Sequence, residues 1–416
     1  MAALTALDRA AHFETGPSST LPLPMSSKQI MTAAMRLHQP ERVPVHCQLS
    51  IGHILLNTNC SHFDFNFSSL SFAEALLRIR DFYDFDGILL HKPGRDHEWQ
   101  QRCDEVLRET AGNDGKHENV TVRWRDGGRT ELPYNDDPKF YPPADYRNPA
   151  IDAVEVSRPL EDIPESLRHF WIYKGMFDWD APDSFPDFYF EAIDHCQEVA
   201  GAEHQIHGEV KAPTDAVLNL LGLQEGLMAF ITDSDRVHLL LEYFTPRLAA
   251  WAVAQARRGC DAIKISSPYA GGSFLSPEMY DEFVVPYERQ IARAVKAEGT
   301  FVYTHTCGRI GDRLEKMVST GIDGIECLDP PPLGDVEIEE AVGQIGGRIF
   351  IKGNLDSVNV LLRGSAEKVE SETLRCLRAG SEAGGFILSS ACSVAPMVPP
   401  ENIKRMVEVA RKYQPE

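Results

Sequence analysis

The feature that most constrains this chain is an alternation of short apolar strands with helical stretches, sustained from about residue 200 to the C-terminus. Strands that alternate with helices of roughly 10–15 residues build parallel βαβ units, since a parallel neighbour is reached only by a long crossover. Strands are predicted near Val43–Leu49, Gly87–His91, Gln205–Lys211 and Ala262–Ser267, and near residues 300, 324, 349 and 386. Eight strands favour an α/β chain closed as a (β/α)8 TIM barrel over an open doubly wound sheet, whose Gly-rich dinucleotide fingerprint is absent. The 416 residues exceed the roughly 250 of a simple barrel, and the excess falls in two places. Residues 1–25, rich in Ser, Pro, Ala and Thr, read as a disordered N-terminal extension, with Met25 as an alternative start. Residues from about 103 to 200, between strands two and three, read as an insertion. Its VTVRWRDGGRTELPYN alternates in polarity around Asp126-Gly127-Gly128, a β-hairpin pattern, and runs on into Pro-rich PKFYPPADYRNP. Residues 26–416 therefore read as a single barrel domain. A first helix is expected near Ser27–Leu37, capped by Ser26 or Ser27, and one continuous helix over SPEMYDEFVVPYERQIARAVKAEG, capped by Ser276.

Composition excludes several classes. Lys and Arg total 41 against 62 Asp and Glu, a net charge of −21 with no basic patch, so nucleic acid is not an expected partner. No apolar run reaches the roughly 18 residues of a membrane span, and no basic stretch precedes an apolar one at the N-terminus. The nine cysteines are odd in number and scattered, which suits reduced thiols in a cytoplasm rather than a secreted disulfide framework. A homodimer is compatible with all of this.

The chemistry concentrates at two strand ends. Strand five closes on Tyr303-Thr304-His305-Thr306-Cys307-Gly308. Side chains alternate faces along a strand, so His305 and Cys307 point the same way, and Gly308 lets the backbone turn after them. Strand eight closes on Ser389-Ser390-Ala391-Cys392. In a barrel the carboxyl ends of all strands meet at one face, which brings Cys392 toward the pair. One imidazole and two thiolates suit zinc, and three protein ligands leave the fourth position open, the catalytic pattern. His-x-Cys arises by chance in many chains, and a cysteine is usually just a small buried apolar side chain. Cys327, at the end of strand six, competes as a ligand but has no second donor beside it.

From about Ser27 onward the chain resembles the uroporphyrinogen decarboxylase superfamily, through SPEMYDEFVVPY, HTCGRIGDRLEKMVSTGIDGIECLDP, RIFIKGNLDSV and SSACSVAPMVPPENI. His305 and Cys307 followed by a distant Cys392 resemble its zinc-dependent corrinoid methyltransferase branch rather than its haem-pathway decarboxylases. Decarboxylases of the superfamily carry an arginine-rich segment after the first strand. Here Val45–His53 holds no Arg, the residue best suited to gripping several carboxylates. The resemblance implies zinc on His305, Cys307 and Cys392, and methyl transfer from cobalamin on a partner corrinoid protein to a small acceptor, a thiol or a tetrahydrofolate. The alternatives are a metal-free decarboxylase and a non-catalytic barrel that docks a corrinoid protein.

Other polar residues gather at predicted strand ends. Glu209 is a candidate acid/base group or fourth zinc ligand, against a plain reading as a barrel carboxylate paired with Lys211 or Lys264. Asp329 is a candidate partner for His305, against a turn-forming role before Pro330. His46, Gln48, His53, His91, His207 and Asn354 are candidates for substrate contact, against ordinary core packing.

Overall fold

The computed structural model describes residues 24–91, 94–95, 98–111, 117–161, 163–168 and 179–414. Its strands are β1 Gly87–Leu89, β2 Cys103–Ala111, β3 His117–Trp124, β4 Arg129–Leu132, β5 Lys139–Tyr141, β6 Gln205–Lys211, β7 Ala262–Ser266, β8 Phe301–Thr306, β9 Gly324–Cys327, β10 Phe350–Leu355 and β11 Phe386–Ser390. Seven of them form one curled sheet in the order β1-β6-β7-β8-β9-β10-β11, every pair parallel. The strands are buried along nearly their whole length, as parallel strands covered by helices must be.

The first predicted strand forms no ladder. Residues 43–49 make two isolated parallel bridges, Val45 with Leu388 on β11 and Leu49 with Val394 beyond its end. On the other side the Asp86 N–H donates to the Val45 carbonyl at 2.9 Å. The chemistry explains the sparse pairing. Pro44 has no N–H, and the Val45 N–H is spent on the Asp86 carboxylate at 2.7 Å.

The connection between β1 and β6 carries a separate antiparallel sheet, β2-β3-β4-β5. Gly127, at φ 89°, turns β3 into β4, and Asp126 accepts from the Gly128 N–H at 2.8 Å. Val120, Val122, Trp124 and Leu132 form the buried face of this sheet and pack on Phe67. The expectations for residues 1–25, apart from Pro24 and Met25, and for residues 169–178 of the insertion lie outside the described residues.

Helices cover the outer face of the parallel sheet. The first spans Ser27–Met35, with Ser26 closing a capping box to Gln29. The helix expected from Ser276 onward is two, Pro277–Phe283 and Val285–Ala297. Pro286 cannot donate to the turn before it, and the chain breaks at Val284. Among the described residues no helix is long and apolar enough to cross a membrane.

One carboxylate in this helix layer works against the fold. Glu288, 1% exposed, has the Ser267 hydroxyl beside it and accepts a long 3.4 Å bond from Thr304, but burial outweighs both and pushes its carboxyl up from 4.5 to about 7. The folded protein therefore holds a proton that the unfolded chain releases near 4.5. Stability is lost as pH rises from there through about 7. Glu288→Gln is expected to stabilise the protein by up to about 3 kcal/mol at pH 8 and by almost nothing at pH 4.5. Urea unfolding midpoints at the two pH values check this; an equal gain at both would contradict it.

Candidate metal centre

Strand register assembles the site. His305 on β8 lies opposite Ser266 on one side and Glu326 on the other. Its Nδ1 is 3.0 Å from Glu326 Oε2, which turns Nε2 toward Cys307 Sγ at 3.3 Å. Gly308, at φ 76°, takes the chain away at once, and its N–H donates to Asp329 Oδ2 at 2.7 Å. On the far side of the cavity, Ala391 N–H still donates to the Leu355 carbonyl at 2.7 Å, so β11 holds its course up to the residue before Cys392. Cys392 Sγ then sits 3.6 Å from Cys307 Sγ. The donor atoms of His305, Cys307, Cys327 and Cys392 all lie within 4.8 Å of one another.

This donor set fits zinc. Tetrahedral bonds of about 2.3 Å to sulfur and about 2.0 Å to nitrogen set a sulfur–sulfur edge near 3.8 Å and a nitrogen–sulfur edge near 3.5 Å. The observed 3.6 and 3.3 Å are close to both. All nine cysteines are free thiols, so none of these sulfurs is consumed by a disulfide.

In the metal-free cluster the negative charge settles on Cys392 and a proton on His305, which zinc would displace. Burial alone would keep His305 neutral, but hydrogen bonds to Cys307, Cys392 and Glu326 carry its pKa well above the usual imidazole value. Hydrogen bonds from Cys307 and Cys327 hold the Cys392 thiol far below the ordinary cysteine range. The thiolate is the form that binds metal. Cys327, fully buried, is pushed up by desolvation.

Beneath the cluster lie two buried ion pairs, Lys352 with Glu326 and Lys264 with Glu209, the latter at 2.9 Å. Burial opposes the charge on Glu326, but Lys352 and His305 keep it well below the usual carboxylate range. Of these two lysines the sequence singles out only Lys264, as a partner for Glu209. Charged residues inside otherwise apolar strands, AIKIS and FIKGN, were the available signal.

The other candidates divide. Glu209 takes its plain reading, bonded to Lys264 and to His91 Nδ1 at 3.2 Å, and Lys264 holds it strongly ionised. A carboxylate held that low is a poor proton acceptor. Gln48 reaches the same floor, accepting from Lys264 at 2.6 Å and donating to Ser393 beside Cys392. His46 and His207 are buried edge to face, and His207 bonds Tyr303 and Gln205. His53 is not brought to the cluster; its ring bonds Tyr83 at 2.6 Å and the Pro396 carbonyl at 3.2 Å. Asn354 is turned away too, donating to the Leu328 and Val336 carbonyls and accepting from Cys376. Asp329 does not hold His305, because Glu326 occupies that nitrogen; it ties down Gly308 and accepts from Cys327 Sγ at 3.3 Å.

Known proteins match this chain at the level of both sequence and fold. The family model for uroporphyrinogen decarboxylase (URO-D) matches residues 155–413. A methylcobamide:CoM methyltransferase MtbA of Methanosarcina acetivorans is 30% identical over 261 residues, covering 61% of this chain and 73% of that protein. The protein of the same name in Methanosarcina mazei is 30% identical over 224 residues, covering 54% of this chain and 63% of its own length. A solved structure described as a methyltransferase from Methanosarcina mazei superposes with a TM-score of 0.67 at 19% identity, over 93% of this chain and 99% of that one.

Proposed function

The chain belongs to the uroporphyrinogen decarboxylase family, on the side of its methylcobamide methyltransferases, and from that premise we propose that it is a zinc-dependent methyltransferase. It would move a methyl group from a methylated corrinoid protein to a thiol or tetrahydrofolate acceptor, in the cytoplasm. The observation that carries the reading is the convergence of His305, Cys307 and Cys392 within 4.8 Å at the carboxyl end of a parallel sheet. In the same reading, residues 43–49 are the eighth stave that closes the sheet into a (β/α)8 barrel, and residues 26–416 are one domain.

His305, Cys307 and Cys392 would hold the zinc. Bound there, it would supply a Lewis acid that keeps an acceptor thiol, with an ordinary pKa near 8.5, deprotonated at neutral pH. The protein's own groups prepare the site. Glu326 fixes the ring of His305 so that Nε2 faces the sulfurs. Lys352 neutralises Glu326 and keeps it a hydrogen-bond acceptor. Asp329 pins the turn at Gly308, which sets where Cys307 points. Lys264, tied to Glu209 and Gln48, gives the cavity a polar floor without a free charge. Of the three nearby imidazoles His91 is bonded to that floor through Glu209, and we assign it to substrate contact, while His46 and His207 are packed in the interior.

The test is methyl transfer from methylcobalamin to a simple alkyl thiol, followed by the absorbance change of the cobalamin, on protein with its metal content measured. About one zinc per chain with thiol methylation supports the reading. No zinc would point to a metal-free decarboxylase. Zinc without transfer to any thiol or folate would point to a non-catalytic docking barrel.

A further inference from the structure

The fourth sulfur of the cluster is not where strand geometry would put it. Glu326 faces the cavity, bonded to His305, so a regular β9 would turn the next side chain into the helix layer, beside its ladder partner Thr306. Instead the backbone leaves β geometry at that residue. Cys327 has φ 95° and Leu328 φ 56°, two successive non-glycine residues in the left-handed region. Strain of this kind persists only where surrounding structure enforces it, and it gathers at functional sites. Its effect here is specific. It swings Cys327 Sγ back into the cavity, within 4.8 Å of the donor atoms of His305, Cys307 and Cys392, with the residue fully buried. Asp329 receives its thiol at 3.3 Å.

We propose that Cys327 is a fourth metal ligand, so that the resting centre is closed by one imidazole and three cysteine sulfurs, and that an acceptor thiol enters by taking the place of Cys327. The exchange balances within the site. The acceptor's S–H bond breaks, an S–H bond forms on Cys327, and Asp329 accepts the hydrogen bond of the restored thiol. Two cysteines and the histidine stay throughout. A centre that is closed at rest is protected from water and stray ligands, and opens only to a donor able to displace a thiolate. The ligand assignment stands on geometry alone; the exchange rests on the methyltransferase reading.

X-ray absorption on the full-length zinc protein counts the sulfurs directly and needs no variant. About three sulfurs and one nitrogen are expected at rest, and β-mercaptoethanol leaves the count at about three. Cys327→Ala, checked for folding by circular dichroism, is expected to show about two sulfurs at rest and about three with β-mercaptoethanol. In cobalt(II)-loaded protein the thiolate charge-transfer band is expected to fall by about a third in that variant. Two sulfurs in the resting wild type, with a band unchanged by Cys327→Ala, would overturn the proposal and leave the methyltransferase reading intact. Three sulfurs in a protein that methylates neither a thiol nor a folate would sustain the ligand and overturn that reading instead.

Discussion

Cys392→Ser is expected to strip most of the bound zinc while leaving the fold standing. A serine hydroxyl stays protonated at neutral pH and is a poor zinc ligand, so the substitution removes an anionic donor outright. Loss of one such donor should lower zinc affinity by at least about a hundredfold, and zinc retained after dialysis should fall from about one per chain to about a tenth. Methyl transfer should fall in proportion to the metal. The fold should survive because Cys392 lies beyond the end of β11, whose ladder to β10 runs through backbone groups up to Ala391. The residue is also only partly buried, so the smaller oxygen leaves no sealed cavity. Metal analysis beside a thermal melt decides the matter. Near-stoichiometric zinc in a folded Cys392→Ser protein would remove this residue from the ligand set and the functional reading with it.

Much of the centre could be read from the sequence, and what could not has a physical reason. His305 and Cys307 were visible because period-two alternation is local, and Gly308 marked the turn. Cys392 followed from the rule that parallel strands end at one face. Asp329 was expected beside His305, where Glu326 stands, because that pairing depends on register. Which residue of β9 stands opposite His305 is fixed by ladder pairing across 21 positions of chain, and no local pattern encodes it. Cys327 was underrated for a related reason. Alternation turns it away from the cavity, and only the left-handed backbone at 327 and 328 brings it back. The interrupted helix after Ser276 was legible in Pro286, and the sparse pairing of 43–49 in Pro44, since a missing N–H is a property of the residue itself. Asn354 shares the spacing of Lys352 on β10 yet faces Leu328 and Val336, a departure that nothing in FIKGNL announces.

The largest loss of stability is expected from Glu326→Ala. Lys352 is 0% exposed and its ammonium is paired with this carboxylate, while the other buried ammonium nearby, Lys264, is tied to Glu209. Removing the anion leaves a buried cation with a like charge close by, a situation that costs about 3–5 kcal/mol. The pH dependence carries a definite sign. Burial already lowers the pKa of Lys352, and Glu326 opposes that shift. Without Glu326 the lysine folds most readily as the neutral amine, so the deficit should shrink as pH rises toward the unfolded-state lysine value and grow as pH falls. The double variant Glu326→Met with Lys352→Met separates the two duties of the carboxylate. It removes both charges and restores apolar volume, so most of the lost stability should return. His305 would still lack the partner on its Nδ1, so zinc affinity should stay about 10–100-fold below wild type. A double variant with wild-type zinc affinity would mean that Glu326 serves the fold alone. A single variant within about 1 kcal/mol of wild type would mean that Lys352 finds another counter-charge.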